Sequence, residues 1–381
     1  MIIADNNAIM PSMEYFDCSA TTKPSEETMK IVNHYATDFY NPSALYLPAN
    51  KIKEDIENAR QMLARYFNAP NGSKFLFTPS ATISNSMVLR TQIVRKDKKY
   101  LISAGEHSSV YNTAKALQAE GYNIVFIPLL KSGHINTDAL YASLDDSVAF
   151  VSIIHTSNET GAINDISAIA HELHRRYPRI VVHSDGVQSA NKINVDLQNL
   201  DVDYYTISGH KINCMRGISA LYVRYFNKQR PYIVGGGQEF NLIAGTENVA
   251  GMVSIAHALK TPQLEKSMLV RKAILDELKQ VDDKIVFDGE NYCPNIIMVC
   301  FVNVRGETIV HMMCDKGYLI GTGSACNSKD KTNRVLGEIG VSQKYSLGAV
   351  RISFDADMSE KTAREMAQAL VACVNEYRGK I

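Results

Sequence analysis

"YYTISGHKINC" (204–214) decides how the rest of the chain is read. Tyr204 to Ile207 is a run of β-formers, short enough for one buried strand. Ser208, Gly209, His210 and Lys211 follow at once. A hydroxyl, an imidazole and an amine therefore stand at the strand's exit, with no acidic neighbour to pair the lysine. In parallel sheets, such polar groups gather at the carboxyl ends of strands, where ligands bind.

The segments on either side repeat the pattern. "IKEDIENARQMLARYF" (52–67) has helical spacing and leads to the strand "KFLFT" (74–78). A helix from 82 to 95 leads to "KYLIS" (99–103), and further strands read at 123–127, 148–154, 179–184, 203–207 and 219–223. This alternation predicts an α/β core with a mostly parallel central sheet flanked by helices. After the glycine-rich "VGGGQEFNLIAGTEN" (234–248) the texture changes. Helices are expected at 246–260 and 263–280, strands at 284–288, 295–302 and 349–354, and a closing helix over 359–377. With 381 residues, too many for one ordinary core, the chain divides into a large α/β domain over 20–260 and a smaller α+β domain from 1–19 and 261–381.

Lys+Arg and Asp+Glu both number 40, so there is no basic footprint for nucleic acid. No apolar stretch is long enough to span a bilayer, and "MIIADNNAIMPSMEYF" lacks the pattern of a signal peptide. The expectation is a soluble cytoplasmic protein. Its seven cysteines form no CxxC pair and no zinc-like spacing, so no metal is expected and most should be free and buried.

Each strand exit adds a polar group. "FTPSATISN" (77–85) puts Thr78, Ser80 and Thr82 at a strand-to-helix turn, which suits a phosphate, although a Ser/Thr cap has the same look. "GEHSSVYN" (105–112) brings His107, "IHTSNETGAIN" (154–164) brings Asn158, and "VVHSDGVQS" (181–189) brings Asp185 and Gln188. Taken singly these are ordinary loop residues. Together with Lys211 they suit a phosphorylated heteroaromatic aldehyde: a lysine for the Schiff base, an aspartate for the pyridine nitrogen, and a flat side chain for the ring.

With Asp185, Gln188 and "SGHK" in place, the chain resembles fold-type I pyridoxal-phosphate enzymes of aminotransferase class V, and within them the cysteine desulfurases. The likeness runs from "YFDCSATTKP" (15–24) through "YNPSALY" (40–46) to "GGGQEFNLIAGTEN" and "GTGSACNS" (321–328). It implies pyridoxal 5'-phosphate as cofactor, L-cysteine as substrate and a homodimer. Lys211 would carry the cofactor and shuttle protons, Asp185 would face the ring nitrogen, and His107 would stack on the ring. Gln188 and Asn158 would contact the ring oxygen. Ala81, Thr82, Ser208 and His210 would hold the phosphate, with Thr246 reaching in from the neighbouring subunit. Arg351 would take the substrate carboxylate, which Asn158 also contacts. Cys326 would accept sulfur as a persulfide, leaving alanine, and pass it to an acceptor such as an iron–sulfur scaffold or a thiolation carrier. A selenocysteine lyase, a β-elimination lyase, an aminotransferase or a low-turnover cofactor-binding partner protein stays open as an alternative.

The chain departs from that family in places. Pro79, Ser80 and Ile83 stand where it usually has Ser, Gly and Glu. Phe240 and Ile243 replace two arginines, Cys18 replaces a polar residue, and "NCMRG" (213–217) replaces a "GPKG"-type turn.

Overall fold

The computed structural model describes residues 13–323 and 333–380. A short strand β1 (Glu14–Tyr15) comes first. The strands β2 (Lys74–Thr78), β3 (Lys99–Ser103), β4 (Asn123–Ile127), β5 (Val148–Ser152), β6 (Val181–Asp185), β7 (Tyr204–Ser208) and β8 (Ser219–Val223) then build one sheet. Its order is β2-β8-β7-β6-β5-β3-β4. The pairs from β4 to β7 are parallel, while β8 runs antiparallel to both β7 and β2. Strand β2 therefore points the same way as β7. The exits of β2, β3, β5, β6 and β7 all reach one edge of the sheet, as the sequence predicts.

Alternate residues of a strand enter opposite cores, as pleating requires. Phe75, Phe77 and Tyr205 pack with Ile52, Leu63 and Phe67, whereas Leu76 and Tyr204 pack with Met87, Leu89 and Tyr100. Fully burying each such side chain contributes about 1.5–3 kcal/mol. Helix Leu47–Tyr66 starts earlier than the periodicity suggests, because Pro48 fits a first helical turn, where no N–H bond is lost.

A second core forms around β9 (Lys284–Val286), β10 (Ile296–Phe301) and β12 (Ala349–Ser353), antiparallel in the order β12-β10-β9. Helices Leu264–Leu278 and Glu360–Gly379 bury Ile274 and Leu370 there with Ile297, Phe301 and Ile352. The N-terminal segment joins it: β1 pairs in parallel with β11 (Tyr318–Leu319), and Phe16 is wholly buried in this core. From there the chain crosses to the large sheet, where the Thr22 N–H donates to His210 O at 2.8 Å.

The glycine-rich segment is pinned from inside. Arg60 donates from Nη1 and Nη2 to the two carboxylate oxygens of Glu239, each at 3.0 Å, and Phe77 N–H donates to Oε2 at 2.7 Å. The guanidinium lies 4.8 Å from the ring centres of both Phe77 and Phe240. Glu239, Phe240 and Asn241 hold left-handed φ values of 43°, 59° and 65°. Non-glycine residues keep that conformation only where surrounding contacts over-determine it.

At the opposite edge, His174 sits with Nδ1 2.7 Å from Asp201 and Nε2 3.7 Å from Asp203. Asp203, and after it Asp201, outweigh the burial of the ring and raise its pKa to about 9. A raised folded-state pKa means that this stabilisation is complete below the unfolded value of about 6.5 and is lost as pH rises through about 9. Melting temperature should therefore fall between pH 7 and pH 10, and H174Q should flatten that slope. An unchanged slope in H174Q would remove His174 as its source.

Candidate active site

Lys211 ends the short helical turn Gly209–Lys211 that follows β7. Its ammonium donates to two backbone carbonyls, Ser19 O and Ala20 O, the latter at 2.7 Å. Burial, followed by the nearby charges of Lys192 and Arg351, lowers its pKa to about 7, although Asp17 and Asp185 pull the other way. The amine is thus substantially neutral at neutral pH, a state an exposed lysine does not reach.

Asp185 closes β6 and is only 2% exposed. Its Oδ2 accepts from Asn85 Nδ2 at 2.8 Å and its Oδ1 from Val187 N–H at 3.0 Å. The next residue must be glycine, since a Cβ on Gly186 would lie 2.0 Å from Tyr205 Cζ. Asn85 also donates to Ser109 Oγ at 2.9 Å, and Ser109 meets His107 Nδ1 through its hydroxyl at 2.9 Å and its N–H at 3.2 Å. A single hydrogen-bond chain therefore joins Asp185 to His107. The N–H donated to Nδ1 leaves the ring proton on Nε2 in the neutral form. Burial lowers the His107 pKa; Asp185 opposes this and Lys211 adds to it.

Gln188 is buried and donates from Nε2 to Ser19 O at 3.0 Å, so it shares that carbonyl with Lys211. Arg351, on β12, is 5% exposed; it donates to Asn158 O at 2.9 Å and pairs with Asp17 at 2.8 Å. Ser19 Oγ, Gln188 Oε1 and Arg351 Nε are buried without a partner. Buried polar atoms are seldom left so unless something else meets them.

The strand-to-helix turn corrects one sequence expectation. The Thr78 hydroxyl turns inward to Ser84 Oγ at 2.7 Å, and Ser80 caps helix Ala81–Gln92 by accepting from Ile83 N–H at 3.3 Å. The plain capping interpretation therefore holds for Ser80, while the Thr78 hydroxyl is spent inside the turn on Ser84 and Ser80 O. The N–H groups of Ala81 and Thr82 remain ahead of the helical ladder, and Thr82 is exposed. Ser208 is buried at the end of β7. His210, whose Nδ1 is 3.2 Å from Thr21 Oγ1, has its pKa lowered to about 4 by burial and then by Lys211 and Arg216.

Thr246 is exposed on the glycine-rich segment, and Cys326 lies outside the described residues. Cys18, 4% exposed, is a buried thiol pushed up to about 12, chiefly by desolvation. Asn85, Asp17 and the Ser19 and Ala20 carbonyls escaped the sequence reading. Only Asn85 left a signal there, as an amide on the inward face of a helix.

Known proteins resemble this chain along most of its length. The Aminotransferase class-V family profile matches residues 14–365. A protein named cysteine desulfurase from Trichormus azollae is 30% identical over 379 residues, covering 96% of this chain and 94% of its own length. A solved NifS-like protein superposes with a TM-score of 0.87 at 25% identity, covering 96% of this chain and 100% of that one. A second structure, described as SspA in complex with cysteine, gives a TM-score of 0.80 at 25% identity over 90% of this chain and 99% of that one.

Proposed function

The chain belongs to the class-V aminotransferase family, and on that premise we propose that it is a pyridoxal-phosphate-dependent cysteine desulfurase. It takes L-cysteine, releases L-alanine and moves the sulfur to Cys326 as a persulfide. The observation that carries this reading is a lysine amine with a pKa of about 7 at a strand exit, within electrostatic reach of a buried aspartate on the next strand.

The residues suit the cofactor. Gln188 and Lys211 meet at the Ser19 carbonyl, Gln188 Oε1 and Ser19 Oγ are unpartnered, and the N–H groups of Ala81 and Thr82 suit a phosphate. Lys211 would hold the aldehyde, Asp185 the ring nitrogen, and His107 the ring face. Gln188 and Asn158 would contact the ring oxygen, and Ser208 and His210 would join Ala81 and Thr82 at the phosphate. Pyridoxal phosphate, when bound, supplies an electron-poor ring that stabilises negative charge at the substrate Cα.

The chain's own groups supply the rest. Asp185 keeps a proton at the ring nitrogen. Arg351 orients the substrate carboxylate through its unpartnered Nε, where a planar guanidinium serves better than an ammonium. Lys211 takes the Cα proton and returns it. The Cys326 thiolate attacks the substrate sulfur; the substrate's Cβ–S bond breaks, an S–S bond forms, and Cβ gains a proton to complete alanine. Cys18 is unsuited to that attack, because burial keeps it protonated.

The same reading includes a homodimer, with Thr246 serving the partner's phosphate. Its support is the exposure of Thr246 together with apolar residues open to solvent: Val234 at 86%, Leu45 at 97% and Leu47 at 82%. It also includes a boundary near residue 260 between two domains, and an acceptor protein for the sulfur. Among the described residues no helix is long and apolar enough to cross a membrane, and we place the reaction in the cytoplasm.

The decisive experiment supplies L-cysteine to the cofactor-loaded protein and to C326A. The wild type should give alanine and protein-bound persulfide in step. C326A should keep the cofactor's visible band and lose both products. Pyruvate or keto acid formed at an unchanged rate in C326A would instead identify a different class-V reaction.

A further inference from the structure

One arginine reaches from the second core to the turn that carries His107. Arg334 opens helix Arg334–Ile339, which Asn333 caps by accepting from Leu336 N–H at 3.0 Å. Val335, Leu336 and Ile339 are buried with Met298, Cys300 and Ala349, which fixes this helix to β10 and β12. The arginine side chain points the other way. Its Nη1 donates to Ala104 O and its Nη2 to Glu106 O, the two carbonyls that flank Gly105 just ahead of His107. The guanidinium carbon lies 3.9 Å from the ring centre of Tyr111. Tyr111 belongs to helix Ser108–Ala119, which His107 itself caps.

The large sheet holds the same turn from below. Glu106 is wholly buried and accepts from Ser152 Oγ at 2.9 Å, and Ser152 meets His183 Nδ1 at 2.9 Å. A Cβ on Gly105 would come within 3.0 Å of Leu129, so the turn has little room to shift in that direction. The guanidinium completes the grip from above. Bridging two carbonyls from two nitrogens while lying over an aromatic ring suits a guanidinium better than an ammonium.

We propose that Arg334 is a positioning residue for the reaction proposed above: by gripping Ala104 O and Glu106 O it fixes the plane of the His107 ring. The inference rests on that reading for its catalytic consequence, and on the geometry alone for the placement of His107. The charges facing the imidazole agree with this role. Arg334 and Lys211 favour the neutral ring while Asp185 and Glu159 oppose them, and burial outweighs all four.

The test uses the full chain with R334A, R334M and R334K. In cofactor-free protein carrying 15N-histidine, the His107 ring signals are assigned by their loss in H107Q, and they should shift in R334M. In cofactor-loaded R334M, the circular dichroism of the visible band should change. Its kcat with L-cysteine should fall about 10- to 100-fold while KM stays within about threefold, as expected for a misplaced group near the chemistry. Methylguanidinium should restore part of the R334A loss, and R334K should stay impaired. Unmoved His107 signals overturn the proposal, and so does wild-type kcat in a variant that melts like wild type. Should R334A or R334M fail to fold, R334K carries the same readouts. Should the protein prove not to be a desulfurase, the His107 signals in cofactor-free protein still decide whether Arg334 places the ring.

Discussion

Lys211→Ala is expected to lower alanine formation from L-cysteine by about 10⁴-fold or more, the scale on which removing a group central to covalent catalysis acts. The side chain has two duties in the proposed mechanism, holding the aldehyde and moving the Cα proton, and nothing else at the β7 exit can take over both. Burial and the neighbouring cations Lys192 and Arg351 bring its pKa to about 7. Capture of the aldehyde by cofactor-free protein should therefore accelerate as pH rises through about 7, because only the neutral amine attacks. An exposed lysine would need about three pH units more. Lys211→Arg should be as inactive as the alanine variant, since a guanidinium keeps its proton. Borohydride reduction followed by peptide mapping should place the pyridoxyl group on residue 211. Its appearance on another lysine would end the assignment.

Asp185→Ala should cost about 10³-fold in kcat, near the upper range for loss of one preorganised electrostatic group. Asp185 is 2% exposed and receives hydrogen bonds from Asn85 and the Val187 N–H. Both donors fix the orientation of the carboxylate, which in the proposed mechanism faces the ring nitrogen. Asp185→Asn retains the shape and removes the charge; a loss close to that of the alanine variant would show that charge is what matters. Stopped-flow rates of Cα-proton removal, read with 2-deuterated cysteine, isolate the step. Wild-type rates in Asp185→Asn would exclude the carboxylate from that role.

The strands at 74–78, 99–103, 123–127 and 219–223 could be read to the residue, because aromatic and branched runs end there in charged or turn-forming residues. The insertion of antiparallel β8 between β2 and β7 could not be read. Strand order is settled by tertiary packing, and no local pattern encodes it. The same limit explains the site. Lys211, Asp185 and His107 stand out as unusual side chains at strand exits, whereas the groups that hold Lys211 are the carbonyls of Ser19 and Ala20, which have no side-chain signature. Asp17 lies 334 positions before its partner Arg351, so their pairing appears only once β12 and the N-terminal segment meet. The Thr246 assignment came from family resemblance, and its exposure is what the structure adds.

The Arg60–Glu239 pair bears on how two copies would come together. It sits inside one subunit and holds the left-handed backbone of residues 239–241 without outside help. The loop bearing Val234 and Thr246 is thus cast before any encounter. Two copies would join like finished castings, with little ordering entropy left to lose at the moment of contact.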